Sequence, residues 1–359
     1  MAHEQNLLRR SEGTLQQRRV QLPWSADQRF RILSIDGGGI RGILPASVLA
    51  EFERRHLSGG SIGDHFDLIA GTSTGGIIAL GLASGLPASF VRDLYIEHGS
   101  EIFPPVGKRL RKMREAFRFL RSLRHYQYER EPLEKLLRKT FGRKLIGDAD
   151  RRLCIPSFDG FTEVNVFKTP HHPDFKMDWR EEMVTVALAT SAAPTFFSVY
   201  RNGNRQFADG GVWANNPIMI ALIDALTCYE LGRSQIDILS LGCGESEIYI
   251  TEKQVRLGGV WHWKEIISAA MHLASQNAMG QAGLLIGRDR LVRIDAPPKP
   301  GAAIGLDDVE QSVAELPRLA VELADQFDAV VAERFLRRPA EPFRAFHGPR
   351  AQDARPEPM

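Results

Sequence analysis

Residues Phe66 to Gly76, read FDLIAGTSTGG, leave few ways for the chain around them to fold. Phe66, Leu68 and Ile69 make a short apolar run, Gly71-Thr72-Ser73-Thr74-Gly75 follows, and Ile77, Ile78, Leu80 and Leu82 continue in residues that suit a helix. The order is strand, tight turn, helix. Small residues flanking a serine at the G-x-S-x-G spacing let the chain reverse so sharply that the hydroxyl projects from the turn. A helix starting just past Ser73 turns free N–H groups and its positive dipole end back toward that hydroxyl, favouring negative charge on a nearby oxygen. Ser73 is therefore the candidate nucleophile. In a chain with 32 glycines, a Gly-rich turn without chemistry has the same spacing, so the motif needs company.

A second strand, glycine turn and helix lie upstream. Phe30 to Ile35 is a β-branched, apolar strand ending at Asp36, followed by Gly37-Gly38-Gly39-Ile40-Arg41-Gly42 and by Ile43, Leu44, Val48, Leu49 and Phe52 at helical spacing. Adjacent glycines leave backbone N–H groups uncovered, which is how a nest for a developing oxyanion is made. Gly37, Gly39 and Gly42 also satisfy G-x-G-x-x-G, so a dinucleotide-binding oxidoreductase is the competing reading. Against it, no acidic residue ends the next strand: Glu53 falls within the helix and Asp67 starts a strand.

Composition excludes several classes. A net charge of +2 over 359 residues argues against a nucleic-acid polymer as partner, and the polar, basic start lacks the apolar stretch of a secretory signal. No run reaches the ~18 apolar residues of a membrane span, and Cys154, Cys228 and Cys243 are too few and too scattered for a disulfide framework or zinc site. A reducing cytoplasm fits. Residues 1–27 read as a polar arm, 28–245 as the core, 246–338 as a C-terminal α/β extension and 339–359 as a disordered tail. One stretch departs from the average: Lys108 to Arg124 holds eight basic residues and one acid, with Arg111, Arg114, Arg118 and Arg121 on one face of a helical projection. A solvated helix accounts for that pattern; so does a grip on phosphate, since arginine forks bind phosphate oxygens in pairs.

A serine needs a base. Of the histidines, His262 and His272 fall in a helical stretch (Trp261 to Leu285) and His347 in the tail, none at a strand-end glycine turn. An Asp can serve directly if it reaches the hydroxyl, and Asp209, in Gln206-Phe207-Ala208-Asp209-Gly210-Gly211, is such a candidate, although Asp-Gly is also a common turn. DGGGIRG at 36–42, GTSTGG at 71–76, SAAPTFF at 191–197 and DGG at 209–211 together resemble the patatin-like phospholipase family. The resemblance implies a three-layer α/β/α fold with a mostly parallel sheet, and hydrolysis of lipid acyl esters through an acyl-enzyme without cofactor or metal. It implies Ser73 as nucleophile, Asp209 as base, Gly37, Gly38 and Gly39 as oxyanion hole and Arg41 as support for that loop. Its narrower form resembles the cytosolic phospholipase effectors of bacterial anti-phage systems, which act on phospholipid at the inner face of the membrane and are switched on by cyclic nucleotide messengers. A constitutive lipid acyl hydrolase and a catalytically silent lipid-binding module remain as alternatives.

Overall fold

The computed structural model describes residues 19–104, 126–160, 163–244, 266–297 and 304–351, with side chains in the helix from 266 described from Met271 onward. Eight strands form one mixed sheet in the order β5-β6-β3-β2-β1-β7-β8, with β4 also on β3. β1 (Phe30–Ile35) runs parallel to β2 (Leu68–Gly71) and β7 (Ile236–Leu241). β3 (Arg152–Asp159) is parallel to β2, and β8 (Leu291–Ile294) is parallel to β7. β4 (Glu163–Lys168), β5 (Tyr200–Asn202) and β6 (Arg205–Asp209) add antiparallel pairs at the other edge.

The central strands are buried at nearly every position because both faces are covered. In β1, Phe30 and Ile32 face one way, toward helix α7 (Ile218–Cys228), while Leu33 and Ile35 face α1 (Ile43–His56), α2 (Thr74–Ala83) and α5 (Met183–Thr190). α3 (Ala88–Ile102) and α4 (Glu131–Phe141) complete this second layer, and α9 (Val309–Phe335) packs along α1. The short α6 (Gly211–Ala214) and the 21-residue α8 (Ile266–Ile286) lie with α7. This is the expected three-layer arrangement. No helix among the described residues is long and apolar enough to cross a membrane.

The two ends depart from the expected arm and tail. Leu22 forms a parallel bridge with Tyr229, and the Trp24 ring sits edge-on to Phe30 and Tyr229, so residues 19–27 pack on the sheet. Phe343 is buried and Phe346 N–H donates to the Pro170 carbonyl, so the chain past Pro339 follows the surface as far as Ala351. Both segments are short of periodic apolar residues, and one or two aromatic anchors hold each of them. α5 ends at Thr190 and α7 at Cys228. All three cysteines are free and buried.

Candidate active site

β2 and β6 pair with the same edge of β3, β2 along its start and β6 along its end, with β4 on the opposite edge, and this brings Ser73 and Asp209 together. β2 pairs with β3 up to Ala70 opposite Cys154, while β6 returns antiparallel and ends with Asp209 opposite Ser157. The turns leaving β2 and β6 therefore meet over the same few residues of β3. Ser73 is the N-cap of α2 with φ 55° and ψ −120°, a conformation that costs a non-glycine residue of order 1–3 kcal/mol. Two contacts hold it there. A Cβ at Gly75 would stand 2.3 Å from the Ile35 carbonyl, so only glycine lets α2 start this close to β1. Ser73 N–H donates to Thr190 Oγ1 (3.0 Å), whose own hydroxyl donates to the Pro156 carbonyl (2.6 Å).

Ser73 Oγ donates to Asp209 Oδ2 at 2.6 Å, and Asp209 Oδ1 accepts from Gly211 N–H at 2.7 Å. The carboxyl is 4% exposed. Burial pushes it from the ordinary 3.8 up to about 6, against the opposing pull of those two hydrogen bonds. A carboxylate so placed is ionised at neutral pH yet basic enough to accept a hydroxyl proton.

The glycine loop lies beside Ser73. Gly37 N–H is already donated to the Asn215 carbonyl (3.0 Å), and Ile40 N–H to the Leu306 carbonyl (2.9 Å). Between these anchors, the N–H groups of Gly38 and Gly39 have no hydrogen-bond partner among the described residues. Gly37 thus lines the site but has no donor free, a correction to the expected three-glycine hole. Gly39 has φ +58°, and a Cβ there would stand 2.3 Å from the Leu306 carbonyl. With Leu306 filling the space before it, the loop is no cradle for a dinucleotide pyrophosphate. Arg41 Nη1 donates to the Gly244 carbonyl (3.2 Å), tying the loop to the turn after β7, and burial lowers its pKa.

Ser73, Asp209 and the glycine loop open on a cavity of about 540 Å³ whose walls include Ile77, Ile102, Phe103, Phe196, Phe197 and Met271. Of the histidines weighed as base, His272 lines this cavity, His347 donates from Nε2 to the Pro173 carbonyl (2.7 Å), and His262 lies outside the described residues. Arg111, Arg114, Arg118 and Arg121 also lie outside them. Thr190, Asn215 and Arg293 belong to the site and carried no motif; their partners are distant in sequence, and only the fold reveals them. His171, Asp224 and Cys228 bring possible metal-ligand atoms within 4.8 Å of one another, and none of the three belongs to these motifs. Both Asp224 oxygens are engaged there, one by the Lys168 ammonium and one by His171 Nε2, and burial pushes the Cys228 thiol up to about 12. Lys168 already supplies the cation.

A family model described as patatin-like phospholipase matches residues 33–222. A cGAMP-activated phospholipase of Pseudomonas aeruginosa is 41% identical over 199 residues, 55% of this chain and 57% of that protein. One of Vibrio cholerae serotype O1 is 40% identical over 228 residues, 60% of this chain and 64% of that protein. One of Escherichia coli is 32% identical over 345 residues, 88% of this chain and 95% of that protein. The chain thus spans less than two thirds of the first two relatives' length and nearly all of the third's.

Proposed function

The chain belongs to the patatin-like phospholipase family, whose model covers more than half of its 359 residues, and from that premise we propose that it hydrolyses acyl esters of membrane phospholipids through a Ser73–Asp209 dyad. The observation that carries the reading is the 2.6 Å hydrogen bond from Ser73 Oγ to Asp209 Oδ2 at the floor of an apolar-walled cavity. Asp209 takes the hydroxyl proton as Ser73 Oγ attacks the acyl carbonyl. The oxyanion forms toward the N–H groups of Gly38 and Gly39, without a partner among the described residues, and toward the N-terminus of α2. Asp209 returns the proton to the departing alcohol, then activates water against the acyl-enzyme. Residues 28–245 carry the dyad, and the extension at 246–338 completes the wall with Met271, Arg293 and Ile304.

The names of the three relatives support a cyclic dinucleotide as activator, and a phospholipid substrate would have the chain act at the membrane surface. The test incubates the purified chain with mixed phospholipid vesicles, with and without cGAMP, and identifies the products. Released fatty acid that depends on Ser73 and rises with cGAMP is the expected result. Release unaffected by cGAMP would make it a constitutive hydrolase, and no release under either condition would sink the reading. The basic row contributes by gripping phosphate, on lipid or on the messenger. Arg114→Glu with Arg118→Glu reduces hydrolysis of anionic vesicles and spares a soluble ester if lipid is the ligand, since such contacts gain ~1 kcal/mol per cation at an anionic surface. Loss of cGAMP stimulation on every substrate would make the messenger the ligand instead.

A further inference from the structure

Arg293, on β8, lies two strands away from the glycine loop, yet its guanidinium reaches the residue on which that loop begins. In the ladder, Arg293 pairs with Ser240 of β7, and Ser240 pairs with Ser34 of β1. Across that span, Nη1 donates to Asp36 Oδ1 (3.1 Å) and Ser240 Oγ (2.8 Å), and Nη2 to Asp36 Oδ2 (2.8 Å) and Asp295 Oδ2 (2.6 Å). Both oxygens of Asp36 are thus held in a two-pronged pair, the arrangement that fixes orientation as well as charge. Asp295 passes the restraint on, its Oδ1 accepting from Gly244 N–H (2.8 Å), while Cys243 Sγ donates to the Asp36 carbonyl (3.3 Å). The loop is anchored at Asp36 and Gly37 on one side and at Ile40 on the other. The N–H groups of Gly38 and Gly39, without a partner among the described residues, lie between, so their aim follows the Asp36 anchor.

We infer that Arg293 is a positioning residue for the oxyanion site: through Asp36 it sets the direction of the Gly38 and Gly39 N–H groups. The inference rests on the acyl-transfer reading above. The test compares the full chain with Arg293→Gln, Arg293→Lys and the double variant Asp36→Asn with Arg293→Gln. It measures kcat and KM on a soluble ester, the rate at which a fluorophosphonate modifies Ser73, and melting temperature. In Arg293→Gln, kcat and the modification rate fall about tenfold or more while KM stays within about twofold, because oxyanion donors act chiefly in the transition state. Arg293→Lys recovers part of the loss, keeping the charge without the fork. The double variant removes the Asp36 charge together with the guanidinium and leaves Asp295 with its backbone donors at Gly244 and Ala296, so its melting temperature returns part of the way toward wild type while its kcat stays low. If kcat returns along with the melting temperature, or Arg293→Gln stays within about twofold of wild type, the inference is overturned and Arg293 is a strut of the fold. Should Arg293→Gln alone fail to fold, the double variant decides by the same criteria. A wild-type chain inactive both with and without cGAMP would overturn the underlying reading and this one with it, whereas an active wild type with indifferent variants overturns this one alone.

Discussion

At Asp209 the same burial acts on activity and stability in opposite directions. Because the carboxyl must be ionised to accept the Ser73 proton, ester hydrolysis rises with pH through a midpoint near 6 and levels off above it. A pH profile of kcat/KM on a soluble ester checks this, and a midpoint near 4 would contradict the buried-base assignment. The folded state keeps the proton up to about 6, whereas the unfolded chain sheds it near 3.8. The folded form therefore binds more protons between those values, and stability is fully present below them and lost as pH rises through about 6. Asp209→Asn removes that loss. Hydrolysis should fall at least a hundredfold or so, while stability at pH 8 rises by on the order of 2–3 kcal/mol, read as a higher melting temperature. Ser73 makes a parallel case. With φ 55°, Ser73→Gly should be more stable than Ser73→Ala by ~1 kcal/mol or more, both being inactive, and equal melting temperatures would argue against backbone strain at the turn. Ser73 and Asp209 were legible in the sequence because each sits in a turn whose flanking glycines mark it. Thr190 and Arg293 were not, since an isolated Thr or Arg acquires its role only from partners more than a hundred positions away.

Helix α9 shows how an element can belong to the core without belonging to the motifs. The sequence offers Leu316, Leu319, Leu323, Phe327 and Val330 as its apolar face; the structure buries Leu316 and Leu323 most deeply together with Ala320, Ala324, Val331 and Phe335, and leaves Leu319, Phe327 and Val330 partly exposed against the core. α9 lies along α1, the helix that leaves the glycine loop, with the Phe335 ring stacked on Phe66 at 5.6 Å. Buried Arg31 in β1 donates from Nη1 to the carbonyls of Phe335 (2.9 Å) and Arg338 (2.6 Å), satisfying acceptors that the end of a helix leaves free. Charge attaches it at the rim as well, where Arg55 and His56 of α1 meet Asp328. Phe335→Ala should therefore cost ~3–5 kcal/mol, and unfolding should remain a single transition. An early separate transition, with the Ser73 site intact after it, would show α9 to be a detachable cover. The β5–β6 hairpin is the opposite case. Segments YRN and RQFAD are too short and polar to read as strands, and they form because β3 offers a partner edge and Asp159 a partner for Arg205.

For the whole molecule, the sheet order could not be read from the chain, although nearly every central strand could. Short apolar runs mark β1, β2, β3 and β7 individually, but pairing is set by the crossovers, and the parallel order around β1 emerges only when helices cover both faces. The described parts of the ends, 19–27 and 340–351, differ from the expected arm and tail for a related reason: a stretch with a single aromatic anchor has no period, yet Trp24 and Phe343 each find a place on the assembled surface. That assembled interior also shuts away every sulfhydryl. Cys154, Cys228 and Cys243 are 0%, 0% and 4% exposed, and burial pushes each thiol well above its ordinary pKa, so none is an available thiolate near neutrality. Maleimide or a chromogenic disulfide should find essentially no reactive group in the native protein and three after denaturation, with turnover unchanged by the native treatment. The natural chain is then ready for site-directed spectroscopy as it stands. One cysteine introduced at an exposed position such as Lys135 on α4 would carry a fluorophore or nitroxide against a silent background.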